Sequence, residues 1–256
     1  MIIPGMVSAT FRGETPERII ELCREAGLKA VEWSENAHVN PDDPKGAAAL
    51  YEKTKAAGLD VAAYGSYYRL GEQEDPEEVF ARSLRSAAAL RAPLIRIWAG
   101  TKPSDQMTEQ ERMALAKEAA LVGEMAEKEG IKIGFEWHKN TLTDTNESAM
   151  ELLKQADQKN LYCLWQPTVA LTMDQRVEGL DLLGDRLLNL HVYYWLEGKR
   201  RPFQEGLDEW ARYLAHVDQN TDRYALLEFV MDNTEEQFLE DAKALHGLLR
   251  NLGLGG

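Results

Sequence analysis

Cysteine is nearly absent from this chain. There are only 2, Cys23 in a helical pattern and Cys163 in a strand-like run, and no short spacing pairs them. This rules against a disulfide framework, and the scarcity of thiolates counts against a structural zinc site. Both residues read as small core side chains in a reducing compartment. Positive charge is also in deficit: 29 Lys and Arg stand against 43 Asp and Glu, a net charge of -14. Such a surface repels phosphate backbones and anionic membranes, so neither nucleic acid nor membrane is expected as a partner. An isolated basic pocket would still accept a phosphorylated substrate. Long apolar runs are missing as well. The opening MIIPGMVSATFR has no basic leader followed by an apolar stretch, so no signal peptide or membrane span is expected. A soluble, cytoplasmic protein is the expectation.

What the chain does contain is a recurrence of short apolar runs. They are IIPGMVS at 2–8, KAVEWS at 29–34, DVAAYGS at 60–66, LIRIWAG at 94–100, IKIGFEW at 131–137, LYCLWQ at 161–166, LLNLHVYYW at 187–195 and YALLEFV at 224–230. Each has strand length and is mostly apolar, as strands covered on both faces are. Amphipathic helices fall between them. Thr15-Pro16, Asp43-Pro44 and Asp75-Pro76 each place a capping side chain before a proline in the first helical turn. Asp75 with Glu78, Thr108 with Glu111 and Thr234 with Gln237 fit capping boxes. Gly27, Gly58 and Gly130 fall where a helix must stop before the next strand. In the last helix Phe238, Ala242, Leu245, Leu249 and Leu252 form one stripe.

Strand then helix, eight times over, implies parallel strands joined by crossover helices. Eight units in 256 residues fit a closed (β/α)8 TIM barrel spanning 1–256 as one domain. A doubly wound sheet is the alternative. The long loops, 66–75 and 195–206, both follow strands, on the side where a barrel carries its active-site loops.

Function in a barrel sits at the C-terminal strand ends, so the polar residues there are the candidates. They are Glu32, Glu136 with His138, Gln166, His191 with Tyr193, and Glu228, with His38 in the loop after the second strand. Glu136 and His138 are two apart, and residues two apart in a strand share a face. If Glu136, His191 and Glu228 point inward, then Ile131, Ile133, Phe135, Trp137, Leu188, Leu190, Val192, Leu227 and Phe229 point to the helices. The fifth to eighth strands then aim Glu136, Gln166, His191 and Glu228 at one axis. Two carboxylates, an imidazole and an amide oxygen suit Mn2+, Mg2+, Co2+ or Zn2+. A divalent cation would also explain why a buried apolar strand ends in Glu136, because an unpaired buried carboxylate is costly. The plainer alternative for a strand-end glutamate such as Glu32 is a Lys or Arg partner. Arg96, flanked by Ile95 and Ile97, reads first as an internal ion pair. His216 and His246 lie in helical patterns and read as surface or core-edge residues. Trp98, Tyr67, Tyr193 and Trp195 crowd the same strand ends and offer a wall on which a sugar ring can stack.

The stretches VEWSENAHV, AAYGSYYRLG, IRIWAG, FEWHKNTLTDT, LWQP, LHVYYW and LLEFV together resemble the xylose isomerase-like TIM-barrel superfamily, in its sugar phosphate isomerase/epimerase branch. The resemblance runs from the first strand to the last. It implies a divalent-metal site with ligands in the order Glu, Asp, His, Glu, which fall by position on Glu136, Gln166, His191 and Glu228. It also implies that Glu136 and Glu228 act as an acid/base pair on either face of a bound ketose. One departure stands out: Gln166 and Val169 occupy the places of the usual Asp and of a frequent His. Gln166 can ligate only through a neutral amide oxygen.

The expected activity is therefore a metal-dependent sugar isomerase or epimerase working through an enediolate, most simply with Mn2+. Glu136, Glu228, His138 and His38 are the candidate catalytic residues. A lyase acting on a keto-sugar shares the first proton transfer, and a non-catalytic sugar-binding barrel needs no metal. A nuclease of the same superfamily would need more ligands than the 5 histidines here provide. Lys199, Arg200 and Arg201 read as a solvated loop or as a clamp for a phosphate or carboxylate. A small-molecule sugar is the expected partner, and the resemblance leaves a homo-oligomer open.

Overall fold

The computed structural model describes residues 1–255. Eight parallel strands close into a barrel in chain order: β1 Ile2–Val7, β2 Ala30–Ser34, β3 Asp60–Arg69, β4 Leu94–Trp98, β5 Lys132–Glu136, β6 Leu161–Trp165, β7 Leu187–Val192 and β8 Arg223–Leu227. Ile2 to Met6 pair with Arg223 to Leu227 and shut the seam between β1 and β8. Closure leaves no free sheet edge. Eight helices surround the barrel: α1 Pro16–Glu25, α2 Pro44–Ala56, α3 Pro76–Ala89, α4 Glu109–Lys128, α5 Asn146–Ala156, α6 Met173–Leu183, α7 Leu207–Leu214 and α8 Glu235–Asn251. None is long and apolar enough to cross a membrane.

Thr15, Asp43 and Asp75 cap α1, α2 and α3 through their side chains, each with proline in the first turn. The full reciprocal capping box closes at Thr108 and Glu111 of α4; at Asp75 and Thr234 only the first of its two bonds forms. Gly27, Gly58 and Gly130 end their helices with φ of 68°, 77° and 70°, a conformation that glycine adopts without strain. In α8 the stripe is buried as far as Leu249, while Leu252 lies past the last turn and is exposed.

Outward-facing strand residues pack on the helices. Trp33 donates to Thr54 of α2, Trp137 lies against Gly179 of α6, and Trp165 packs edge-on against Trp210 and Tyr213 of α7. Two departures from simple alternation matter. A bulge in β7 puts Cys163 opposite Leu187 but Trp165 opposite Leu190. The extra residue turns Leu188 into the barrel, against Ala63, Leu94 and Leu164, rather than toward the helices. Phe229 also fails to face outward: β8 has ended, and a φ of 53° swings its ring over the barrel mouth. The seventh run likewise stops short of its expected end. β7 finishes at Val192, and Trp195–Leu196 pairs instead with Lys199–Arg200 in a small antiparallel hairpin above the barrel.

Candidate active site and metal centre

Three strand ends meet at the top of the barrel axis. Glu136 closes β5, His191 lies near the end of β7, and Glu228 follows β8, held by a bond from its backbone N–H to Val192 O at 2.9 Å. All three side chains are buried, and their ligating atoms lie within 4.8 Å of one another. His191 Nδ1 stands 3.5 Å from Glu228 Oε2 and 3.7 Å from Glu136 Oε1. Ligands held at roughly 2.0–2.2 Å from one cation stand roughly 3.0–3.4 Å apart, so His191 Nδ1 lies within a few tenths of an ångström of ligand spacing from each carboxylate.

The other imidazole nitrogen leaves Nδ1 as the one that a metal would meet. Nε2 lies 3.0 Å from Glu32 Oε2, and a carboxylate can only accept, so Nε2 carries the proton. Nδ1 then faces Glu136 and Glu228 with no hydrogen-bond partner, although it is fully buried. A carboxylate behind a histidine fixes tautomer and ring orientation in metal centres. Charge points the same way. Arg96 Nε lies 3.4 Å from Glu32 Oε1 and 3.5 Å from Glu136 Oε2, a single cation among the carboxylates of Glu32, Glu136 and Glu228. Two negative charges are left in excess when His191 is neutral, and a divalent cation offsets them. Glu136, His191 and Glu228 can hold such an ion.

Arg96 itself is locked. It donates to Ser66 O at 3.0 Å, and its guanidinium lies 4.2 Å from the Trp98 ring centre, with Arg69 at the same distance. Gly65 makes room for it: a Cβ there would come within 2.8 Å of Glu32 Oε1 and 3.1 Å of Arg96 Nη2. Arg96 is thus the internal ion pair, and Glu32 has both an Arg partner and a histidine to orient.

Protonation follows from this packing. Burial opposes charge on His191, but Glu32 and Glu228 outweigh it and hold the pKa well above 6.5. Burial likewise opposes charge on Glu136, but Arg96 and His191 more than offset it and keep this carboxylate ionised. In the ion-free chain the imidazolium contributes stability that is complete below the unfolded pKa and lost as pH rises through the folded one. A cation entering at Nδ1 must displace that proton. Mn2+ binding is therefore expected to release about one proton per ion near neutral pH and to tighten as pH rises. Calorimetry in two buffers of unequal ionisation enthalpy reads the proton count directly.

Gln166 does not present the oxygen expected of a fourth ligand. Its amide nitrogen donates to Glu136 Oε1 at 2.9 Å and to Trp137 O at 2.7 Å. Both partners are acceptors, so the nitrogen belongs there and the residue holds Glu136 in place. Gln166→Leu is expected to weaken Mn2+ binding by about 10-fold while one ion per chain still binds. Loss of all binding would instead mark Gln166 as a ligand.

A cavity of about 120 Å³ opens above the triad. Glu136, Gln166 and Glu228 line it from the strand ends, and His138, Lys139, Tyr193, Trp195 and Phe229 from the loops. His138 shares the inward face with Glu136, as its spacing implied; its Nδ1 is 2.6 Å from Lys139 O. Tyr193 donates to Pro167 O at 3.2 Å, and burial beside Glu228 raises its pKa well above 10, so it stays a neutral phenol. Three expected residues lie elsewhere. His38 is taken up by Ser8 Oγ at 3.0 Å and Glu14 O at 3.2 Å, and packs on Trp33 outside the cavity. The reason is a tight loop: Asn36 takes a φ of 62°, and Glu35 bridges to Val39, turning the imidazole back toward β1. Trp98 and Tyr67 pack edge-on at 5.6 Å, with Trp98 against Arg96, and neither lines the cavity. Phe229 was expected to face the helices, and Lys139, which lies past the end of β5, carried no signal in the sequence.

The comparison with family models matches residues 20–251 to the xylose isomerase-like TIM barrel. The chain belongs to that family. It is a family of enzymes, in which 3-dehydroshikimate dehydratase of Bacillus anthracis is 25% identical over 173 residues, covering 59% of this chain and 61% of that protein. The match thus spans about three fifths of that relative's length. Among solved structures of the same barrel, a probable 3-DHS dehydratase from Bacillus anthracis superposes with a TM-score of 0.80 at 20% identity, covering 96% of this chain and 99% of the other. L-ribulose 3-epimerase superposes with a TM-score of 0.70 at 15% identity, covering 99% and 96%. At these identities the likeness establishes the xylose isomerase-like fold.

Proposed function

We propose that this chain is a divalent-metal-dependent enzyme that removes a proton from the carbon beside a carbonyl in a sugar or sugar derivative, and returns it as an isomerase or epimerase does. The observation that carries this reading is the buried convergence of Glu136, His191 Nδ1 and Glu228, their ligating atoms within 4.8 Å of one another, beneath an aromatic-lined cavity. A divalent cation, most simply Mn2+, supplies positive charge opposite an oxygen that becomes negative during reaction.

The two glutamates are not equivalent. Arg96 and Gln166 both bind Glu136 and make it the weaker base. Glu228 is bound by neither of these groups and faces Nδ1 of His191 at 3.5 Å. Glu228 is thus the base that takes the proton, leaving an enediolate. Return of the proton to the neighbouring carbon gives an isomer, and return to the other face of the same carbon gives an epimer. Glu136, ionised at rest, would make that second delivery only after taking a proton from solvent. Tyr193 and Trp195 bound the cavity and exclude water, with His138 in reach as a donor to a substrate oxygen.

A second reading has its own support. Loss of a β-hydroxyl as water from the same enediolate makes the enzyme a dehydratase, the activity named for its 25%-identical relative. His138 and Lys139 then protonate the leaving oxygen. One experiment separates the readings. Ketoses, keto-sugars and their phosphates are incubated with the Mn2+-loaded protein in deuterated water. An isomerase or epimerase incorporates one deuterium with the substrate's skeleton intact, while a dehydratase gives a product lighter by one water. Glu228→Gln is expected to slow incorporation by at least about 100-fold. A panel in which nothing exchanges, with metal bound, leaves a sugar-binding barrel.

A further inference from the structure

Some arginines on this acidic chain pair with carboxylates, Arg82 with Asp42, Arg201 with Glu205 and Arg212 with Asp174, while the exposed Arg24, Arg85 and Arg91 have no such partner among the described residues. Two further arginines without a carboxylate partner flank one aromatic ring at the barrel mouth. The guanidinium of Arg12 lies 5.8 Å from the Phe229 ring centre and that of Arg200 lies 4.8 Å from it. Arg200 also sits 5.7 Å from the Trp195 ring centre. Neither has a carboxylate partner within ion-pair distance among the described residues. Arg200 donates only to the neutral Asn233 Oδ1, and Arg12 makes no hydrogen bond. Each guanidinium carries five N–H groups, so most are free for a ligand. Burial and the nearby Arg12 charge both act against the charge on Arg200, while Glu228 favours it.

The ring between them is held in an uncommon conformation. Phe229 has a φ of 53°, and its N–H donates to Thr10 Oγ1 at 3.2 Å. Backbone strain of this kind persists where surrounding structure enforces it, often at ligand sites. Phe229 and Trp195, the rings that carry the two arginines, also line the cavity above Glu228. A group bound by both arginines would thus lie one side chain away from the reacting end of a substrate.

We propose that Arg12 and Arg200 form a subsite for an anionic group, a carboxylate or a phosphate monoester, on the substrate. This rests on the reading that the cavity takes a sugar-type substrate. It makes an acidic sugar derivative or a sugar phosphate the substrate class and excludes a neutral ketose. Lys199 and Arg201, which flank Arg200 in sequence, take no part, since Arg201 is held by Glu205 and Lys199 is exposed on the hairpin.

The test uses three probes that cannot react: glucitol, gluconate and glucitol 6-phosphate. Their affinities for the Mn2+-loaded protein are measured by calorimetry at low salt. At least one anionic probe is expected to bind about tenfold or more tighter than glucitol, with the advantage shrinking at high salt. Which anion gains identifies carboxylate or phosphate. Arg200→Gln and Arg12→Gln should each reduce the advantage, and the double variant should abolish it. Arg200→Lys should keep part of it, and thermal melts confirm that each variant folds. Equal binding of all three probes, or an anion preference that survives the double variant, overturns the proposal. An anion preference that remains in protein unable to bind Mn2+ upholds this subsite while overturning the metal-dependent reading.

Discussion

His191→Ala is expected to abolish Mn2+ binding at concentrations where the parent binds one ion per chain. The substitution removes one of three converging ligands and the only nitrogen among them. It also leaves Glu32 facing the vacated space, its 3.0 Å hydrogen bond lost. Loss of a partner behind a ligand costs 10- to 100-fold in affinity, and loss of the ligand itself should exceed about 100-fold. Titration of metal-stripped protein by calorimetry makes the measurement, with a thermal melt to confirm folding. Undiminished binding by the variant would place the ion elsewhere and remove the basis for the proton-transfer mechanism. Failure of the parent to bind would mean that Arg96 and the His191 imidazolium suffice to offset Glu136.

Arg96→Met is expected to have the largest effect on stability. The arginine is buried, and it is the one permanent positive charge beside Glu32 and Glu136. Removing one partner of a buried pair leaves an uncompensated charge, at a cost of about 3–5 kcal/mol. The methionine also loses the stacking on Trp98. The loss should depend on metal. With Arg96 gone, the cluster carries one more unit of negative charge, so a divalent ion binds it more tightly. An ion at about 100 times its Kd stabilises the folded state by about 2.7 kcal/mol, and tighter binding adds to this. Urea melts of parent and variant should thus lie far apart without Mn2+ and closer together with it. A gap of the same size under both conditions would show that the carboxylate cluster is not the ion's site.

The barrel was legible because its signals are local. Eight apolar runs at even spacing, with caps at Thr15, Asp43, Asp75 and Thr108, are each set by neighbours a few residues away. Burial on both faces leaves a parallel strand little choice but an apolar sequence. Glu136, His191 and Glu228 were found the same way, as polar residues that end such runs, and the resemblance to a known superfamily placed them in order.

The misplacements share a different cause. Leu188 and Phe229 turned because a bulge and a left-handed residue each break the two-residue period, and no residue type announces either. His38, Trp98 and Tyr67 lie near strand ends in the sequence, but their directions depend on loops that fold against one another. Gln166 shows the limit most clearly. Its position at the end of β6 followed from the sequence, yet whether its oxygen or its nitrogen faces Glu136 depends on Trp137 O, a backbone atom just past the end of β5. The pairing of Glu32 with both His191 and Arg96 joins residues 159 and 64 positions apart. The chain's periodicity specified a barrel with acidic strand ends. Closure of the barrel chose which of those acids meets the arginine, which orients the histidine and which stays free to act, because those choices depend on distances across the barrel axis.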